Sequence, residues 1–408
     1  TEARVMRLKG YGNAIVPALA AAFLETLKDI AIGGDPEVDR DVKRVLQLRL
    51  AHSQAATRKF EAIRKKNYRG RMTNTLQYCG AQRTGRWAGR GLQLQNLKRS
   101  PKDMVEQAEQ LVESPDAYAD SHTLEDLGGL VRAAITAAEG HTLVVSDLAA
   151  IESRVLGWLT GCTWINQTFF EGRDTYKAFA EMWLGVPYDQ VDKATRTLAK
   201  PPFLGFGYGI GAVGLKKYAE GMGVPMDEEQ CASAIRTARK VCHEVPTFWR
   251  HIEAAFRSVT QTGEPVTVRP ARITLAREGR FLTIQLPSGR KLYYDDPKID
   301  LEDGSLGFMG QNQYTNKWER ITTWGGKLTE NLCQAIARDI LAFGMLLYTQ
   351  RGGTIIGHVH DEVIAEEKTQ WADSALAYLN YCLSVTPPWA PGLILGSEGF
   401  LARRYCKA

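Results

Sequence analysis

The chain contains no Cys-x-x-Cys pair, and its seven cysteines (Cys79, Cys162, Cys231, Cys242, Cys333, Cys382, Cys406) are scattered and odd in number. That argues against a structural zinc and against a disulfide framework, and it fits a reducing compartment. No run of eighteen apolar residues occurs, so no membrane span is expected. The start, Thr1-Glu2-Ala3-Arg4, has neither an initiator Met nor a signal peptide, which reads as a fragment or processed piece of a longer chain. Internal repeats and low-complexity linkers are also missing. Between Arg58 and Lys102 acid is almost absent: Glu61 stands alone among thirteen Lys and Arg. A solvated helix face normally interleaves both signs, so this one-sided run fits a surface that follows phosphates.

What is present is ordinary in bulk and specific in detail. At 408 residues the chain can bury a substantial core and holds more than one subdomain, and its net charge of +5 is modest. Residues 39–66 have helical spacing, with Val42, Val45, Leu46 and Leu50 three and four apart. The Gly-rich stretch that follows suggests strands and turns. "GHTLVVSDL" (140–148) is a short apolar run ending near an acid, and "AAIESRVLGWLTG" continues it as a helix. Residues 165–260 read mostly helical. "RFLTIQLPSGRKLYY" (280–294) reads as a hairpin turning at Pro287-Ser288-Gly289. A long helix is predicted over Lys327–Tyr348 from the stripe Leu328, Leu332, Ile336, Ile340, Phe343 and Leu347, with Glu330, Gln334 and Arg338 stepping by four on another face. "TIIGHVHDEVIAE" (354–366) reads as a second hairpin, with β-branched residues on both sides of His360-Asp361-Glu362. Burying an unpaired carboxylate there costs several kcal/mol or forces it to take up a proton, so the tip is either a turn in water or a carboxylate held rigid for a metal.

Three segments carry chemistry. Asp147, Glu152 and Arg154 follow a strand end, and Arg196, Lys200, Leu204 and Tyr208 step by four along a predicted helix. His360, Asp361 and Glu362 sit at the hairpin tip. Two carboxylates on a rigid sheet suit a pair of hard divalent cations, which phosphoryl transfer uses to activate the attacking oxygen and stabilise the leaving one. Arg and Lys one helical turn apart present two charges to a polyphosphate, and Tyr208 offers a ring to a base. Taken singly, each piece is weak.

Their order and spacing resemble the polymerase region of family A (polymerase I-type) DNA polymerases, phage members above all. Asp147 through Arg154 resembles motif A of that family. Arg196-x3-Lys200 with Gly205 and Tyr208-Gly209 resembles motif B, and His360-Asp361-Glu362 resembles motif C. "TGRWAGRGLQLQN" (84–96) is similar to the segment that grips the primer–template, and "ENLCQAIARD" (330–339) to the helix before motif C. The resemblance covers residue 40 to the end.

It implies an α+β fold of the right-hand polymerase type, with an antiparallel palm sheet, helical fingers and a short or truncated helical thumb. The implied division is an N-terminal segment and reduced thumb (1–66), palm (67–160), fingers with a β-hairpin insertion (161–326) and palm again (327–408). Asp147 and Asp361, with the Leu148 carbonyl, are the implied ligands of two Mg²⁺ ions, for which Mn²⁺ is a substitute. Glu362 supports that site. Arg196 and Lys200 are implied to hold a triphosphate, with Tyr176 and Leu204 in the same nucleotide-binding set. Tyr208 is implied beside the templating base, and Glu152 as the steric gate against a ribose 2′-OH. Arg86, Gln93, Gln95, Asn96, Arg154, Gln334 and His360 form the implied DNA-binding set. The implied partners are primer–template DNA, dNTPs and a processivity or replisome partner, for a monomer without membrane association in a bacterial or phage-infected cytoplasm.

The sequence also departs from the family. Leu204 stands where an aromatic ring is usual, which puts sugar discrimination in doubt. Leu148 and Ala150 replace polar or aromatic residues of motif A. Pro201 and Pro202 fall inside the motif B helix, where proline removes donors, so a bent helix is expected. "RLKGYGNAIVPALAAAFLE" (7–25) resembles the tail of some phage DNA-cytosine methyltransferases. No carboxylate set for 3′–5′ proofreading is recognisable, so distributive synthesis without proofreading is expected. Two rival readings are a single-subunit RNA polymerase, which Glu152 opposes, and a catalytically silent primer–template-binding remnant, which the short thumb suggests. A two-metal nuclease would leave Arg196, Lys200 and Tyr208 without a task.

Overall fold

A strand with Val144 and Val145 in a continuously buried run, His141–Leu148 (β1), is the first long strand among the chain's described residues. The computed structural model describes residues 57–97, 107–109, 130–312 and 315–405. Residues 1–56 of the expected thumb segment, the first part (39–56) of the helical pattern over 39–66 and the methyltransferase-like stretch lie outside these. Packing separates Gln77–Ala88 with Ala138–Ala402 from a second unit assembled from Thr1–Leu76, Gly89–Ala137 and Arg403–Ala408.

In the first unit, β1 is followed by seven helices: α1 (Ile151–Thr160), α2 (Thr163–Phe170), α3 (Thr175–Leu184), α4 (Lys193–Phe206), α5 (Ala212–Gly221), α6 (Glu228–Val241) and α7 (Glu244–Thr262). Their starts are written in side chains. Asp174 accepts from the Tyr176 and Lys177 amides, Asp192 accepts from Thr195, and Asp227 with Gln230 closes a reciprocal capping box. Each such cap satisfies amides that have no partner inside the helix. Pro201 and Pro202 do not interrupt α4, which runs continuously through them with both rings buried.

Six strands follow: β2 (Val266–Val268), β3 (Ile273–Glu278), β4 (Phe281–Gln285), β5 (Lys291–Ile299), β6 (Leu306–Gln311) and β7 (Trp318–Thr323). They pair in chain order as one antiparallel sheet. This corrects the expected hairpin insertion. The β4–β5 hairpin is there, but it is the middle of a six-stranded meander.

Helix α8 (Gly325–Gln350) begins two residues before its predicted start and ends two after. It is long and apolar enough to cross a membrane by length and composition, yet most of it is buried inside the protein. Leu328, Leu332, Ile336 and Ile340 are at most 1 % exposed, and burying each such side chain contributes about 1.5–3 kcal/mol. Its first turn needs glycine: a Cβ on Gly325 would lie 2.1 Å from the Trp249 carbonyl oxygen, and one on Gly326 2.2 Å from the Trp324 ring. Then come β8 (Ile355–Val359), β9 (Glu362–Lys368), α9 (Ala372–Ser384) and β10 (Ser397–Ala402). They complete a four-stranded antiparallel sheet in the order β8-β9-β1-β10. Val144, Leu148, Val363 and Ala365 of this sheet share a buried core with α8 and α9.

In the second unit, the helix Thr57–Lys66 leads into a small hairpin, Asn67–Tyr68 paired with Arg71–Met72, which turns on Arg69 and Gly70 in left-handed conformations. Tyr68 is 69 % exposed there with the Arg69 guanidinium over its ring. The expected strands and turns of this basic stretch are present as pieces only two residues long.

Candidate active site

β1 is the central strand on which the acids converge. Asp147 pairs with Glu362 of β9 on one side and with Glu398 of β10 on the other. Residues directly opposite in an antiparallel ladder project from the same face, so three carboxylates share that face at one end of the sheet. The Leu148 amide donates to the Asp361 carbonyl at 3.0 Å, which ties the hairpin tip to the residue after Asp147. His360 turns the hairpin with φ 53°, and Ala150 turns β1 into α1 with φ 51°. Non-glycine residues seldom take that conformation, and strain of this kind gathers at functional sites. The acid buried most deeply is not the one the sequence suggested. Asp361 is half-buried, while Glu362 is 4 % exposed.

These donors are oxygens, which hard cations prefer. Among the described residues no three His, Cys, Asp or Glu side chains converge tightly enough to cage a metal unaided. Mg²⁺ is ordinarily held by one or two carboxylates, with waters and substrate phosphates completing the shell. Asp147, Asp361 and the Leu148 carbonyl therefore fit an ion that arrives with a polyphosphate.

The helix expected to carry Arg196, Lys200, Leu204 and Tyr208 ends at Phe206, so only the first three lie on α4. Tyr208 follows the Gly207 cap, and Gly209 continues the turn with φ 79°. Arg196 and Lys200 both face the Tyr176 ring, at 5.1 and 5.9 Å from its centroid. Burial pushes the Tyr176 hydroxyl up to about 12, so it stays protonated. Leu204 is half-buried on the same helix.

Glu152 is held from two directions. Arg86 Nη2 donates to Oε1 at 2.7 Å and the Tyr208 hydroxyl donates to Oε2 at 3.1 Å. Burial raises the Tyr208 pKa well above the usual range, and the nearby Cys333 and Glu152 add to it, so the hydroxyl remains a donor. His360 stands at the same place in the field. Burial lowers its pKa first, the Arg86 charge lowers it further, and Glu152 opposes both.

Arg86 is carried by Gln77–Ala88, a segment bound to the sheet and α8 by contacts the sequence reading missed. Trp87 lies edge-on to His358 at 4.5 Å, and Arg338 stacks over Trp87 at 4.2 Å and over Tyr78 at 4.9 Å. Arg290 donates to the carbonyls of Thr84 (2.9 Å) and Ala335 (3.0 Å) and to the buried Asp339 (2.8 Å). The available signal for Arg338 was its place four residues after Gln334. Nothing in the local sequence marked Arg290. Arg86 and Gln334 line one cavity of about 360 Å³, together with Arg83, Thr84, Gln311 and Asn316.

Arg154 is engaged with the backbone beside the site. Its Nε and Nη1 donate to the carbonyls of Ala149 (2.7 Å) and Ile394 (3.1 Å), and Phe169 covers its face at 4.1 Å. The guanidinium buttresses the turn after Asp147 through these two bonds. Gln93, Gln95 and Asn96 belong to the second unit. There Gln93 Oε1 accepts from Lys59 (3.2 Å) and Asn96 (3.1 Å), ahead of and within a short 3₁₀ turn over Leu94–Asn96.

The chain is similar to known proteins in sequence and in fold. The "DNA polymerase" of Bacillus phage SP02 is 34 % identical over 387 residues, covering 90 % of this chain and 58 % of the phage protein. The chain thus spans a little over half the length of that relative. "DNA polymerase I, thermostable" of Thermus aquaticus is 36 % identical over 104 residues, which is 26 % of this chain and 12 % of that protein. In fold, the chain is similar to the POL domain of Pol1 from M. smegmatis, solved in complex with DNA primer-template and dNTP. The TM-score is 0.61 at 18 % identity, over 94 % of this chain and 56 % of the other. The model of DNA polymerase family A matches residues 18–280. The chain belongs to DNA polymerase family A.

Proposed function

We propose that the chain extends a DNA primer against a template, using dNTPs and no proofreading exonuclease of its own. The observation that carries this reading is the register of Asp147 against the motif C hairpin, with Asp361 tied by its carbonyl to Leu148. That pair of strand ends presents oxygen donors on a rigid base, as phosphoryl transfer requires.

In the proposed reaction the primer 3′-OH attacks the α-phosphorus of the dNTP. The hydroxyl gives up its proton to solvent, a new P–O bond forms, the bond from the α-phosphorus to the bridging oxygen breaks, and pyrophosphate leaves with the electron pair. Two Mg²⁺ ions, when bound, would supply Lewis-acid stabilisation of the attacking and leaving oxygens. Asp147, Asp361 and the Leu148 carbonyl would hold them, with Glu362 buried beside Asp147 in the ladder. Arg196 and Lys200 offset the charge that gathers on the departing pyrophosphate. Glu152, fixed by Arg86 and Tyr208, stands where a 2′-OH would bring an additional polar group, and so favours deoxynucleotides. Arg86 and Gln334, in one cavity, suit the minor-groove acceptors that all correct base pairs share, which reads pair shape rather than sequence.

Four primed templates differing only in the first templating base, each offered one dNTP at a time, test this reading. Incorporation confined to the complementary dNTP is the expected result. Primer–template binding without incorporation of any dNTP would replace the reading with a silent DNA-binding remnant, and a preference for rNTPs with an RNA polymerase.

A further inference from the structure

We infer that Asp174 is a positioning residue that aligns Arg196 for a triphosphate. The inference rests on the proposed nucleotide role of Arg196 and extends it to a residue no motif contains. Both oxygens of the carboxylate are assigned. Oδ1 accepts from the Tyr176 and Lys177 amides, each at 2.9 Å, and so caps α3. Oδ2 accepts from Arg196 Nε at 2.9 Å and Nη2 at 2.7 Å. The Asp174 amide is held in turn, donating to the Tyr188 hydroxyl at 2.8 Å. Partial burial raises the Asp174 pKa, but the Arg196 hydrogen bond, the two amides and the Arg196 charge outweigh it, and the carboxyl lies below its usual range.

A guanidinium is planar, with five donors in a fixed fork. Holding Nε and Nη2 along one edge therefore sets the direction of the opposite Nη1 edge. The Tyr176 ring lies under Arg196 and under Lys200 one turn on. Asp174 also positions Tyr176, because its Oδ1 receives the Tyr176 amide. One carboxylate thus fixes both the cation and the ring beside it. Arg196 is 38 % exposed, so without this clamp its long side chain has solvent-facing rotamers to occupy.

Charge and alignment predict opposite signs for the loss of Asp174. Removing a negative charge beside an anion site tightens anion binding by Coulomb's law. Removing the clamp loosens it, because the cation must then be ordered during binding. Asp174→Asn separates the clamp from the cap, since Asn is as good an N-cap as Asp.

The test titrates inorganic tripolyphosphate into the whole chain by calorimetry, for the unaltered protein, Asp174→Asn, Arg196→Lys and Arg196→Ala. Dissociation constants are set beside dNTP KM and kcat from primer extension, with melting curves to confirm folding. Asp174→Asn should weaken tripolyphosphate binding and raise dNTP KM roughly three- to tenfold, less than a full charge-assisted hydrogen bond because the lost negative charge offsets part of it, with kcat changed less. Arg196→Lys, which leaves α3 untouched, should behave alike. Adding Asp174→Asn to Arg196→Ala should cost little more, as coupled residues require. Unchanged or tighter binding in Asp174→Asn, or a full additional loss in the Arg196→Ala background, would overturn the inference. Because tripolyphosphate needs no turnover, binding that follows the prediction in a chain that never extends a primer would sink the polymerase reading alone.

Discussion

Arg86 and Glu152, 66 residues apart in sequence, meet at 2.7 Å, and the Tyr208 hydroxyl closes on the other Glu152 oxygen. A carboxylate with both oxygens engaged is aimed as well as charged, and this one comes from the first turn of α1, five residues after Asp147. Removing either donor should let it swing. Tyr208→Phe should therefore erode discrimination against rNTPs by roughly tenfold, the worth of one hydrogen bond to a charged group. Arg86→Ala should lower kcat/KM for dNTPs as well, since Arg86 also lines the cavity with Gln334. Competition between dTTP and UTP on one primed template measures both. Unaltered selectivity in Tyr208→Phe would place the gate elsewhere.

The Arg290–Asp339 pair should matter for stability more than for chemistry. Asp339 is 5 % exposed and also accepts from Ser288 and Arg338. Breaking a buried pair from one side costs about 3–5 kcal/mol when the remaining charge is left uncompensated, and Arg338 and Ser288, which stay on Asp339, keep the cost of losing Arg290 below that. Arg290→Ala should lower the melting temperature sharply and loosen the Thr84 turn that carries Arg86. Arg290→Ala with Asp339→Ala should be less destabilised than the sum of the two single variants. Strict additivity of the melting shifts would contradict the network.

His358 gives the protein a pH dependence of predictable sign. Burial, with Arg338 and His360 adding repulsion, pushes its pKa down to about 4, against about 6.5 in an unfolded chain. Between those values the unfolded state takes up a proton that the folded state refuses. Stability from this group is therefore complete above about pH 6.5 and is lost progressively toward pH 4. At about pH 5.5 the loss is on the order of 1 kcal/mol. His358→Gln should flatten the fall in melting temperature between about pH 7.5 and 5.5 relative to the unaltered chain. An equal slope in both would assign the acid sensitivity to other groups.

The palm hairpin, the strand ending near Asp147 and the long helix before motif C were legible because each couples a strong hydrophobic period to charged residues at fixed steps. The six-stranded sheet was half legible. β4 and β5 alternate cleanly, but β6, "LGFMGQ", has two glycines and little alternation, so its period carries no strand signal. Side-chain direction was the least legible property. Arg154 on α1 and Arg196 on α4 are the same residue type, yet one turns back onto backbone carbonyls while the other clamps to Asp174. Local sequence records neither partner, because Ile394 and Asp174 are brought there by tertiary packing. The same holds for the buried acid: one register step separates Asp361 at the tip from Glu362 inside, and a hairpin sequence fixes its turn only once the ladder is paired.

The central claim is that Asp147 and Asp361 together hold the cations of nucleotidyl transfer. A single-turnover primer extension in Mg²⁺, run beside a primer–template binding titration, tests it most directly with Asp147→Asn and Asp361→Asn. The expected result is extension by the unaltered chain, a loss of about a hundred- to a thousandfold in each variant, the scale of a removed transition-state stabiliser, and nearly unchanged duplex affinity. Extension by either variant at close to the unaltered rate would contradict it.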